Sequence, residues 1–126
     1  MVLIFGGAYQ GKLNFAENNF GLLRDDIFFC SPNTARLDFS KKAVCGLHLF
    51  IRAALDAGVE PEEYLNQNLI NLRDKIIICD DISSGIVPLS AQQRRLRETC
   101  GRCLRLLSYQ ADSVLRVFCG IAITIK

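Results

Sequence analysis

Short runs of consecutive apolar residues alternate along this chain with longer stretches whose apolar positions recur every three or four residues. Residues 2–5 (Val-Leu-Ile-Phe) form the first run. Further short runs at 26–30, 42–45, 76–79, 113–119 and 121–125 read as strands, the last two separated by Gly120. The longer stretches read as helices. One follows Gly11-Lys12 to about residue 18. A second carries Leu47, Phe50, Ile51 and Leu55 on one face and stops at Gly58. Pro61-Glu62-Glu63 opens a third well, with proline in the first turn and acids at the positive end of the helix dipole; its stripe is Leu65, Leu69 and Leu72. Ser90-Ala91-Gln92-Gln93 fits a capping box at the start of the longest helix, whose stripe is Leu96, Cys100, Cys103, Leu104 and Leu107. Apolar strands without alternation are buried on both faces, so the expected fold is α/β: a mainly parallel sheet covered by helices in three layers.

Length and composition narrow this further. With 126 residues, half of them hydrophobic, residues 1–126 are expected to form one domain with a real core. A net charge of +2 is too weak for a dedicated nucleic-acid binder, yet leaves room for a local anion site. Cys30, Cys79 and Cys119, three of the six cysteines, each close an apolar run, where a thiol packs as a small hydrophobe. No apolar stretch reaches the roughly 18 residues of a membrane span, and no basic segment precedes residues 2–5. These features lead to the expectation of a reduced, cytoplasmic chain with no membrane partner.

The most specific local pattern is Gly6-x-x-x-x-Gly11-Lys12, placed after a strand and before a helix, as in a phosphate-binding loop. Glycines there let backbone N–H groups converge on phosphate oxygens, and the helix adds its positive end. Lys12 supplies a point charge for the outer phosphates. Position 13 departs from the pattern: a hydroxyl that would hold Mg²⁺ is replaced by Leu13, which cannot coordinate it. Asp80-Asp81 follows the strand at 76–79, and acids at such a strand end reach the metal in phosphoryl-transfer folds; they also commonly cap turns. His48 is the one histidine, early in its helix, either a half-buried spacer or a group facing the ligand crevice. Among the arginines of the long helix, Arg94, Arg95, Arg102 and Arg105 lie opposite the apolar stripe, a solvated face, whereas Arg97 borders it and could reach a phosphate. Cys100 and Cys103 form a C-x-x-C with both thiols on the stripe and no second pair to complete a zinc site, so core packing is expected.

In the C-terminal third, Gly85-Ile86-Val87-Pro88, Arg94, Arg97, Gly101-Arg102, Ala111-Asp112, Val114, Gly120-Ile121 and Ile125-Lys126 follow one another in order. Together with Gly6-Gly7 and Gly11-Lys12, these residues resemble the adenosylcobinamide kinase / adenosylcobinamide-phosphate guanylyltransferase family of cobalamin biosynthesis. The resemblance implies a P-loop α/β fold and two activities: phosphorylation of a cobinamide hydroxyl, then GMP transfer through a guanylylated histidine. It implies that Gly6, Gly7, Ala8, Tyr9, Gln10, Gly11, Lys12 and Leu13, with Arg97, hold ATP or GTP. Lys12 and Asp81 would then be catalytic candidates and Asp80 and Asp81 the ligands of Mg²⁺, with adenosylcobinamide as acceptor and a homo-oligomer as assembly; His48 matches no family motif and is a catalytic candidate only as the one histidine a histidine-linked nucleotide could use. Asp81 stands where the family has a glutamate, and Asp80 where it has an asparagine. The departures all touch catalytic parts. Gln10 and Leu13 replace serines, Leu104-Arg105 replaces an Asn-Gln pair, Val44-Cys45 lacks a carboxylate, and residues 31–43 contain no histidine. The alternative reading is a catalytically degenerate nucleotide- or phosphate-binding protein on the same fold.

Overall fold

A computed structural model describes residues 1–82 and 90–126. Among them, six strands form one sheet in the order β2-β3-β4-β1-β5-β6. In chain order these are β1 (Val2–Gly6), α1 (Lys12–Phe20), β2 (Ile27–Phe29), β3 (Ala43–Cys45), α2 (Leu47–Asp56), α3 (Pro61–Gln67), α4 (Leu69–Leu72), β4 (Ile76–Asp80), α5 (Ala91–Gln110), β5 (Ser113–Phe118) and β6 (Ile121–Thr124). The first five strands run parallel, and β6 returns antiparallel against β5. The α/β expectation holds, with helices packed on both faces of a mainly parallel sheet.

The two faces have separate cores. On one, Leu3, Val44, Ile77, Cys79 and Val114 of the sheet meet Phe50, Leu65, Leu72, Cys100, Cys103 and Leu107 of the α2–α5 layer. On the other, Ile4, Ile78, Ile27 and Val117 meet Ala16 of α1, with Leu22 and Leu13 beside them. Adjacent positions in one strand, such as Leu3 and Ile4, thus serve opposite layers, which is why these runs lack alternation. Phe50 is wholly buried and packs on Tyr64 with ring centroids 5.1 Å apart. Burying such a side chain contributes roughly 1.5–3 kcal/mol. The Tyr64 hydroxyl accepts the Leu37 N–H at 3.0 Å, which ties the long β2–β3 connection to α3.

Helix ends follow the sequence signals. Gly58 takes φ 76 after α2, and Val59 N–H reaches Ala54 O at 2.8 Å, closing a Schellman turn. The third expected helix divides at Asn68 into α3 and α4. Ser90 caps α5, its hydroxyl accepting Gln93 N–H at 3.2 Å. The arginine face of α5 is not simply solvated: Arg95 reaches Glu60 and Arg102 reaches Glu62, each at 3.3 Å, joining α5 to the start of α3. The cysteine expectation holds for Cys30, Cys79, Cys100 and Cys103, all buried and free. Burial pushes the Cys30 thiol up to about 12. Cys119 corrects it: β5 ends at Phe118, and Cys119 lies exposed in the β5–β6 turn at φ 51. The segment 85–88 lies outside the described residues.

Gly6 ends β1 against the backbone of β5. A Cβ built there would stand 2.3 Å from the Val117 carbonyl oxygen, a rigid neighbour, whereas at Gly7 the nearest atom is Gln10 Cγ at 3.6 Å. Gly6→Ala should therefore lower unfolding stability by about 2–3 kcal/mol in urea titrations, and Gly7→Ala by under about 0.5 kcal/mol.

Candidate functional site

The parallel register puts the carboxyl ends of the strands side by side, with Gly6 of β1 paired to Asp80 of β4 and Cys45 of β3 to Ile78. In open parallel sheets this edge is where ligands sit, between strands whose connections leave on opposite faces. Here β1 leads into α1 on one face, and β3 into α2 on the other. The glycine loop (residues 6–11) crosses the gap and delivers Lys12 as the first residue of α1. Gly11 at φ 90 and Gly46 at φ 85 make the sharp turns into α1 and α2. The result is a cavity of about 250 Å³ lined by Tyr9, Gln10, Gly11, Lys12, Leu13, Asn14, Cys45, Gly46, His48, Ile78 and Asp80. That volume falls below the roughly 300–1,000 Å³ of a pocket that encloses a small molecule. It suits one charged arm of a ligand.

Lys12 is only 6% exposed, and its ammonium donates to Gly7 O at 2.7 Å and pairs with Asp80 Oδ1 at 2.7 Å. A lysine this buried needs such a partner, because an unpaired charge away from water is strongly unfavourable. The other carboxylate oxygen, Asp80 Oδ2, lies 3.5 Å from His48 Nε2. Asp80 also donates its own backbone N–H to His48 Nδ1 at 3.2 Å. With Nδ1 accepting, the neutral imidazole carries its proton on Nε2, on the side of the ring near the carboxylate. Lys12, Asp80 and His48 therefore form one chain, from the first turn of α1 across the end of β4 to the first turn of α2.

Burial holds the His48 pKa below its ordinary value; the Asp80 carboxylate pulls it back up and the Lys12 charge adds to the lowering. His48, read from sequence as either spacer or crevice residue, lines the cavity while remaining hydrogen-bonded. Asp80 is the carboxylate that meets Lys12. Asp81 instead donates its backbone N–H to Gly6 O at 2.8 Å and is not among the cavity-lining residues. Gly6, Gly7 and Ala8 build the loop without lining the cavity. Arg97 also lies off the cavity, one turn before Cys100 on α5.

Leu13 turns its apolar side chain against the Ile4–Ile78 core. Magnesium is commonly held by one or two carboxylates with substrate oxygens. In this cavity Asp80 alone supplies a carboxylate, and among the described residues no group of three His, Cys, Asp or Glu could hold a metal. Sequence reasoning missed Asn14, Cys45, Gly46 and Ile78 as lining residues. Gly46, between a strand and a helix, was the one readable sign. The link from Gln10 to the β5–β6 turn left no sign at all.

Residues 49–125 match the family described as cobinamide kinase / cobinamide phosphate guanyltransferase. The chain belongs to that family. No curated protein matches it. The matched region of this cobinamide kinase family member includes Asp80, Asp81 and Arg97, whereas the glycine loop and His48 precede it. The family is one of cobalamin biosynthesis, with kinase and guanylyltransferase activities and with nucleotide and cobinamide as substrates. Among the described residues, no helix is long and apolar enough to cross a membrane.

Because His48 is the only histidine, its imidazole signals in NMR titrate alone. The midpoint should lie below 6.5 and rise in Lys12→Ala, which removes a cation that lowers it. As pH falls from 6.5 toward the folded midpoint, the unfolded chain takes up the proton first, so stability should decline through that window. His48→Gln should remove this slope.

Proposed function

We propose that the chain is a nucleotide-dependent cobinamide kinase, with the glycine loop holding the phosphates of ATP or GTP and adenosylcobinamide as acceptor. The observation that carries this reading is the buried Lys12 ammonium, held by Gly7 O and Asp80 at the start of α1 within the loop-lined cavity. Among the described residues, two of its three N–H donors are engaged there, which leaves the third to meet a phosphate oxygen. In the reaction the acceptor hydroxyl oxygen forms a bond to the γ-phosphorus as the bond to the nucleoside diphosphate breaks. The hydroxyl proton leaves to a base. Positioning and charge neutralisation supply most of the acceleration in such transfers. Asp80 is the residue of this cavity that would hold a magnesium ion bound with the phosphates; Asp81, next in the chain, and Arg97, on α5, are the remaining candidates named from sequence.

The guanylyl-transfer half needs a histidine nitrogen with an available lone pair. In His48 that lone pair, on Nδ1, accepts the Asp80 amide, so nucleotide attachment there requires the ring to turn. We therefore place His48 as the partner that holds Asp80, and the kinase step ahead of the transferase step. Single-domain, cytoplasmic and homo-oligomeric organisation belong to the same proposal.

One observation favours a second reading, a protein that binds nucleotide without turnover: Leu13 fills the place of the magnesium-binding hydroxyl and packs into the core. Two measurements separate them. Adenosylcobinamide phosphorylation with ATP or GTP and Mg²⁺ should fall by about 10²–10³ in Lys12→Ala. Equal rates in the two proteins reject the kinase. Thermal stabilisation by nucleotide that needs neither Mg²⁺ nor turnover supports the binder.

A further inference from the structure

The glycine loop is held from within by the Lys12 contact to Gly7 O and from outside by the β5–β6 turn. Its tip is fastened to the β5–β6 turn through one residue. Gln10 O accepts Gly120 N–H at 2.8 Å, and Gln10 Oε1 accepts Cys119 N–H at 2.6 Å. The Gln10 side chain folds beneath the loop, with Cγ 3.6 Å from where a Gly7 Cβ would stand. Beside it, a Cβ on Gly11 would lie 3.4 Å from Gly120 Cα, so the two turns are already in close approach. On each side of this junction stands a non-glycine residue at positive φ, Tyr9 at 59° and Cys119 at 51°. Such conformations are sparsely populated and persist where surrounding contacts over-determine them. The paired bonds of Gln10 join the two segments that carry them.

We propose that Gln10 is a positioning residue: it clamps the glycine loop to the Cys119–Gly120 turn and thereby sets the curvature on which the phosphate contacts depend. The inference rests on the phosphate-binding reading above and adds to it that the loop's shape is dictated by the hairpin at the sheet edge. Loop amides bind an anion through convergence, so a tip released from its anchor keeps the same groups but spreads their directions.

The test uses the full chain with inorganic tripolyphosphate as probe, and two substitutions. Gln10→Met keeps the stem and removes the acceptor; Gln10→Glu keeps an acceptor at the same place. Titration calorimetry should show tripolyphosphate binding weakened about tenfold in Gln10→Met, the effect of losing one hydrogen bond's worth of order. Thermal stability should change no more than in an ordinary surface variant. Amide exchange followed by NMR, without ligand, should show the Cys119 amide exchanging about tenfold faster in Gln10→Met, with protection restored in Gln10→Glu. Equal tripolyphosphate affinity in Gln10→Met and wild type, where wild-type binding depends on Lys12, overturns the proposal. So does equal Cys119 exchange in both. Wild-type binding no better than that of Lys12→Ala instead overturns the phosphate reading beneath it, and the exchange data tell the two failures apart because they report the clamp alone.

Discussion

The contact between the Lys12 ammonium and the Asp80 carboxylate constrains the rest of this structure. A buried ammonium at the end of a parallel sheet needs a counter-charge at hydrogen-bond distance, and the partly exposed Asp80 carboxylate supplies it at 2.7 Å. Meeting it requires β1 and β4 to be neighbours in register, with Gly6 opposite Asp80. It also requires the loop after Gly6 to turn back within five residues so that α1 begins at Lys12. The second oxygen of Asp80 then draws His48 from α2. Three elements from both layers thus converge on one carboxylate, which makes the sheet edge a polar centre beside two otherwise apolar cores.

That convergence explains an apparent conflict within the sequence. The loop keeps the glycines and lysine of a phosphate site but lacks the hydroxyl after the lysine. Leu13 contributes instead to the core beneath α1, beside Ile4, Ala16 and Ile78. The glycine pattern and a buried lysine stand together with a packing residue at the position after them. Charge management at the site accordingly falls to Lys12 and Asp80.

The layers and helices were legible in the sequence because burial on both faces writes uninterrupted apolar runs, as in Ile76-Ile77-Ile78, and because Pro61 and Gly58 mark helix ends in chemical terms. The glycine loop was legible as a pattern, Gly6-x-x-x-x-Gly11-Lys12 between a strand and a helix, although the contacts that shape it come from distant β5 and the β5–β6 turn. What could not be read were pairings between distant segments. Nothing in the residues near His48 announces that Asp80, 32 positions away, will donate its amide to Nδ1 and bring its carboxylate within 3.5 Å of Nε2. Asp80 and Asp81 are indistinguishable as adjacent letters, and only the strand's alternation sends one to Lys12 and the other's amide to Gly6 O. Cys119 was misread because its apolar predecessors suggested a strand continuing one residue further than hydrogen bonding carries it.

Gly6 bears on how relatives of this chain should be compared. Its lack of a side chain is demanded by the Val117 carbonyl of β5, an obligation of sheet packing independent of any ligand. An invariant glycine at that position would therefore carry no information about phosphate. Gly7, where a methyl group meets ordinary contact distance, is under no such demand from the described residues. A glycine retained at position 7 across divergent sequences would be the diagnostic one, since packing among those residues gives no reason to exclude a side chain there.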